Sequence, residues 1–166
     1  MKVSINRSPR KGPYGGGNLF VRELSIVLEN LGHKVTFLPD RDSDILFLID
    51  PRPDALGYSI NEAVQIKNFN PKVKIIQRIN ECDARKNTEH MDPLLLQCSQ
   101  LIDHTVFVSE WMQNYFLTKG WLCQSHTVLK NGVADYFLSL GKDKKSTKNK
   151  KLKIVTHHWS NMFTTF

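Results

Sequence analysis

The chain has 166 residues, 40% hydrophobic and 23% charged, with 9 Gly and 7 Pro, a globular composition that excludes collagen-like, low-complexity and fully disordered chains. One domain of this length buries a substantial core without a disulfide or metal staple. The net charge of +7 is no nucleic-acid signal, because residues 142–153 hold seven lysines against Asp143, a local +6 that leaves +1 for everything else. We therefore expect no nucleic-acid partner. The lysine run reads as a solvated linker, with weak peripheral contact to an anionic membrane surface as its secondary option.

Lys2 to Asn6 alternates polar and β-branched residues and predicts a first strand. Arg7 to Gly17 is a loop of Gly and Pro. Phe20, Leu24, Val27, Leu28 and Leu31 then recur by threes and fours with Gly32 directly after, which predicts an amphipathic helix with Asn18 as its N-cap. Val35 to Leu38 and Ile45 to Ile49 read as buried strands, Ser59-Ile60-Asn61-Glu62 as a capping box opening a helix toward Phe69, and Val73 to Ile79 as a further strand. After the polar stretch Asn80 to His90, Asp92-Pro93 starts or interrupts a helix carrying Leu94, Leu95, Cys98, Leu101 and Ile102. Thr105 to Val108 is a strand, Ser109 caps a helix bearing Trp111, Met112, Tyr115 and Phe116, and Thr127 to Leu129 is a strand again.

Short apolar strands alternating with helices call for a parallel sheet covered on both faces, a doubly wound α/β fold. We expect residues 1–140 to form that Rossmann-like domain, 141–151 a lysine-rich linker, and 152–166 the opening strand of a second domain, cut short. The three cysteines, Cys82, Cys98 and Cys123, form no Cys-x-x-Cys pair and read as reduced, buried thiols. No apolar run suits a signal peptide or a membrane span, so the expected location is cytoplasmic.

Two segments stand where such a sheet places ligands. Gly12-Pro13-Tyr14-Gly15-Gly16-Gly17-Asn18 joins the first strand to the first helix, and glycines there let a phosphate approach the backbone at a helix N-terminus. The dinucleotide fingerprint fails, with Phe20 in place of its third glycine, although Asp40 closes the second strand at about the separation a ribose-binding acid needs. Arg78, Asn80, Glu81, Asp83, Arg85 and Lys86 follow the fourth strand. Glu81 suits a base or a sugar-hydroxyl acceptor, and Arg78, Arg85 or Lys86 suits a phosphate. Each of these features has a plainer structural explanation, a flexible turn or a solvated loop. His157-His158 cannot share a metal on a strand, no metal site is expected, and no Gly-x-Ser-x-Gly or His-Glu-x-x-His occurs.

Taken together, Gly16-Gly17, Leu31-Gly32-His33-Lys34-Val35, Phe107-Val108-Ser109-Glu110-Trp111-Met112, Asn131-Gly132-Val133 and Lys153-Ile154-Val155-Thr156-His157-His158-Trp159-Ser160 resemble the N-terminal half of a retaining glycosyltransferase of the GT-B fold, in the large group 4 family. The resemblance implies an acceptor-side domain facing a donor-binding domain, a nucleotide-sugar donor with an unspecified acceptor, no cofactor and no metal. It also implies that Gly16 and Gly17 face the donor's phosphates, and Asn18, Arg78, Arg85 and Ser109 are further candidate substrate-binding residues. Asn80 and Glu81 would lie at the reacting sugar, and Asn131 and Gly132 at the cleft. The sequence departs from the family in lacking a histidine after the fourth strand, where Gln77-Arg78-Ile79-Asn80-Glu81 stands, and in placing Ala134 where an Asp usually follows Asn-Gly-Val. The second-domain glutamates are absent, so the chain alone is expected to be inactive. The alternatives are a non-catalytic α/β binding module and an NAD(P)-binding oxidoreductase domain.

Overall fold

A computed structural model of the chain describes residues 1–12, 14–53 and 57–132. Met1–Asn131 form one compact unit, and Gly132 falls outside it. The expected boundary near residue 140, the lysine linker, His157-His158 and the strand from Leu152 lie outside the described residues.

Six strands, β1 (Lys2–Ile5), β2 (Lys34–Thr36), β3 (Ile45–Leu48), β4 (Lys74–Ile79), β5 (His104–Phe107) and β6 (His126–Val128), form one sheet in the order β2-β1-β3-β4-β5-β6. Every pairing is parallel. Alternation then fixes two faces. Val3, Ile5, Ile45 and Phe47 turn to α1 (Gly16–Asn30), whose Val21, Leu24 and Leu28 pack on them. Leu46, Leu48, Ile75, Ile79 and Phe107 turn the other way and meet Ala63 and Ile66 of α2 (Ile60–Phe69), Leu95 and Cys98 of α4 (Met91–Cys98), and Met112 and Phe116 of α5 (Glu110–Thr118). Phe107 packs edge-on against Trp121 at 5.4 Å and stacks on Phe116 at 6.3 Å. Burying one such ring contributes about 1.5–3 kcal/mol. The fold is the doubly wound, Rossmann-like α/β sheet that the alternation predicts.

The helix ends follow their sequence signals with one correction. In a Schellman turn the Gly32 N–H donates to Glu29 O and the His33 N–H to Leu28 O, with Gly32 at φ +79°. Glu62 accepts from the Ser59 N–H at 2.8 Å, closing the start of α2. Helix α1, however, begins at Gly16 with Gly15 as its N-cap, so Asn18 sits inside the first turn rather than before it. Three glycines make that turn open and leave its N–H groups without a capping side chain. The polar stretch after β4 also contains a short helix, α3 (Asp83–Lys86), that no apolar period announces. Among the described residues, no helix is long and apolar enough to cross a membrane.

Because β2 and β3 flank β1 on opposite sides, the chain reverses its direction of growth at β1. A crevice opens beyond the carboxyl ends of β1 and β3, the place where open α/β sheets bind ligands.

Candidate functional site

The crevice is real. A cavity of about 260 Å³ lies there, lined by Arg7, Ser8, Arg10 and Tyr14 from the loop after β1, Gly17, Asn18 and Val21 from α1, and Ile49 and Asp50 after β3. Its floor is set by Asn6, fully buried, whose amide donates to the carbonyls of Asp50 and Tyr58 and whose Oδ1 accepts the Ile49 N–H. Asn18, expected as a cap, instead ties the loop. Its Oδ1 accepts the Arg10 N–H and its Nδ2 donates to Arg10 O at 3.0 Å. The loop is thereby held open over the helix start, and a Cβ added at Gly15, Gly16 or Gly17 would meet nothing within 4 Å. A helix N-terminus with unsatisfied N–H groups and free space before it attracts anions.

A chain of charges runs along the same edge. Arg7 Nη2 donates to Arg52 O at 2.9 Å and lies 3.9 Å from Asp50, which holds Arg52 through both carboxylate oxygens. Burial pushes the Asp50 carboxyl up, but the bonds from Arg52 and the charges of Arg52 and Arg7 outweigh it and hold the group below its ordinary range. Arg52 reaches on to Glu81 Oε1 at 3.2 Å, and Lys86 takes Glu81 Oε2. The expected carboxylate is thus present at the strand ends with both oxygens engaged. Each oxygen keeps a second lone pair with which it can accept from a ligand.

Arg78 is the unusual member. It is 4% exposed, on the α1 side of β4, with its guanidinium carbon 4.1 Å from the Phe20 ring centre. Nη2 donates to Asn131 Oδ1 at 2.9 Å, while Nη1 is buried without a partner. Among the described residues no carboxylate neutralises it, and burial lowers its pKa.

The structure thus brings Gly16, Gly17, Asn18, Arg78, Asn80, Glu81 and Asn131 to the carboxyl-terminal edge of one sheet. Asn80 follows β4 directly, half-buried. Arg85 is exposed on α3. Ser109 is already engaged, since its Oγ accepts the Met112 N–H at 3.1 Å and caps α5. Gly132 lies beyond the first compact unit. Asp40, weighed as a ribose-binding acid, stands at the opposite edge: it pairs with Lys2 at the start of β1, and its carbonyl accepts the Ser43 N–H just before β3. Among the described residues, no acid is therefore left at the carboxyl end of β2, where an NAD(P) site of the usual kind needs one. Among the described residues, no three His, Cys, Asp or Glu side chains are grouped to hold a metal ion.

Sequence reasoning passed over Arg7, Arg10, Asp50, Arg52 and Gly57. The available signal was Asp50-Pro51-Arg52-Pro53, charged and rigid, directly after the strand that borders the switch point. Gly57 pairs with Arg7 in an isolated antiparallel bridge so closely that a Cβ there would overlap Asn6 O.

No family model and no curated protein matches the sequence. Among solved structures, the fold is similar to that of HepE from Anabaena, crystallised in complex with UDP and glucose, with a TM-score of 0.54 and 10% identity over 80% of this chain and 44% of that one. The chain therefore spans less than half of that neighbour. At this identity the likeness concerns the fold.

Proposed function

We propose that the chain is the acceptor-side half of a GT-B glycosyltransferase of the retaining group 4 type, which moves a sugar from a nucleotide-activated donor to an acceptor. The observation that carries this is the uncapped, glycine-opened start of α1 at the switch-point crevice, in a fold shared with a protein that holds UDP and glucose. In this reading the N–H groups of Gly16 and Gly17 face the donor's diphosphate, and Asn18 keeps the loop clear of it. Asn80 and Glu81 stand at the reacting sugar, with Arg85, Ser109, Asn131 and Gly132 around the cleft. Leaving-group charge would be stabilised by the helix N-terminus and nearby cations, so the transfer would need no metal.

The test is direct binding. Adding UDP-glucose at millimolar concentration to the isotope-labelled chain is expected to shift the amide signals of Gly15 to Asn18 saturably, with NADH producing no such shift. If NADH shifts them and UDP-glucose does not, the oxidoreductase alternative takes the place of the transferase.

A further inference from the structure

We propose that Arg78 is the receptor for a phosphoryl group, its unpartnered Nη1 and the Gly16 and Gly17 N–H groups together forming one anion site at the start of α1. This deepens the transferase reading by naming the side chain that takes the charge, and it rests on that reading only for the remainder of the ligand.

Three observations converge. First, a guanidinium this buried is costly unless its donors and its charge are met. Here Nη2 has a neutral amide, the ring of Phe20 takes one face, and Nη1 has nothing. Second, side chains on a helix lean toward its N-terminus, so the ring of Phe20 covers the turn before its own Cα, the turn of Gly16 and Gly17. A guanidinium stacked on that ring is thereby set toward the end of the helix that carries the free N–H groups. Third, two of the nearby cations are otherwise occupied, because Arg52 and Lys86 hold Glu81 and Arg52 also holds Asp50, while Arg10, exposed at the crevice mouth, lies over the Tyr14 ring. Arg85 is exposed on α3. The planar fork of an arginine with backbone N–H groups at a helix start suits the several oxygens of a phosphoryl group better than it suits a carboxylate.

The 166-residue chain is titrated with inorganic pyrophosphate, with malonate as the carboxylate control. Pyrophosphate is expected to shift the Gly16 and Gly17 amides and the Arg78 guanidinium signals together, and malonate to bind about tenfold more weakly. Arg78→Met, which fills the same space without charge, is expected to weaken pyrophosphate about tenfold or more, and Arg78→Lys to weaken it less. Wild-type shifts confined to Arg85 and Lys86, or a folded Arg78→Met that binds pyrophosphate as tightly as wild type, overturn the proposal. Should Arg78→Met not fold, the wild-type Arg78 signals and Phe20→Leu, which removes the aromatic support, decide it in the same way. The two ideas separate cleanly. Pyrophosphate binding at Arg78 with UDP-glucose no tighter than pyrophosphate keeps the anion site and removes the nucleotide sugar. UDP-glucose binding that ignores Arg78→Met does the reverse.

Discussion

Two glycines show how unequal one residue type is. A Cβ at Gly16 enters open space, whereas one at Gly57 collides with the Asn6 carbonyl. Gly16→Val is therefore expected to leave the melting temperature almost unchanged, within about 0.5 kcal/mol of stability, while abolishing the amide shifts caused by UDP-glucose, because its methyls fill the ligand's space. Retention of those shifts would make Gly16 a turn residue only. Gly57→Ala is expected to cost about 2–4 kcal/mol by denaturant unfolding, since the bridge to Arg7 must give way. Only the first glycine was legible in the sequence. Its role depends on the neighbouring strand and helix, whereas that of Gly57 depends on a residue fifty positions earlier in the chain. Glu81 is a third case. Its partners Arg52 and Lys86 have side chains 42% and 57% exposed, so Glu81→Gln is expected to lower stability by less than about 1 kcal/mol. On the proposed transferase function, Glu81→Gln should reduce turnover about tenfold or more. An unfolding midpoint that drops while turnover holds would assign Glu81 to structure.

The segment between β4 and α4 is where element prediction failed and where its physics is instructive. It carries almost no apolar residues, so no period marks α3. Its order comes instead from two buried aspartates that bond each other's backbones. The Asp83 N–H donates to Asp92 at 2.8 Å, and the Met91 and Asp92 N–H groups donate to Asp83 at 3.0 and 2.9 Å. Asp92 also receives the Tyr115 hydroxyl and, at 2.8 Å, the Lys119 ammonium, which fastens the segment to α5. Such bonds join residues eight to twenty-seven positions apart, beyond any local signal. The strands, by contrast, were legible to within a residue or two from their β-branched runs alone. Burial pushes the Asp92 carboxyl up, but Lys119, Tyr115 and the Asp83 N–H outweigh it and hold its pKa below the ordinary value. A carboxyl with a depressed folded pKa adds stability that is complete above its unfolded pKa of about 4 and is lost as pH falls toward the folded value. Asp92→Asn is therefore expected to cost about 1–3 kcal/mol at pH 7. It should also flatten the fall in melting temperature below about pH 4. A variant whose acid limb parallels that of wild type would show that other carboxylates govern it.

At the scale of the whole molecule, composition located most of the net charge in the lysine run and left the remainder nearly neutral. The fold shows that this near-neutrality is unevenly spread. Asp40, Asp44 and Asp103 sit where strands begin, with Asp40 and Asp103 paired to Lys2 and to Lys67 and Lys74. Arg7, Arg10, Lys11, Arg52, Arg78, Arg85 and Lys86 gather where strands end, with Asp50, Glu81, Asp83 and Glu110 among them, while Lys34 and Lys72 join the starts. No sequence-level sum could separate the two ends, because the separation follows from every strand running the same way. A crevice whose charged residues are mostly of one sign concentrates oppositely charged ligands, and salt screens that field over a length of about 10 Å at 0.1 M. Pyrophosphate affinity for the intact chain is therefore expected to fall by about tenfold between about 0.05 and 0.5 M salt, with the buried share of the interaction at Arg78 retained. The screening applies to the exposed Arg10, Lys11, Arg85 and Lys86, so neutralising Arg10 and Lys11 together should shallow the salt dependence while the Gly16 and Gly17 shifts at saturation stay as they are. Calorimetry across the salt series checks the slope, and the amide spectrum checks the site. An affinity indifferent to salt would mean that the outer cations contribute nothing and that the anion is held by the helix start and Arg78 alone.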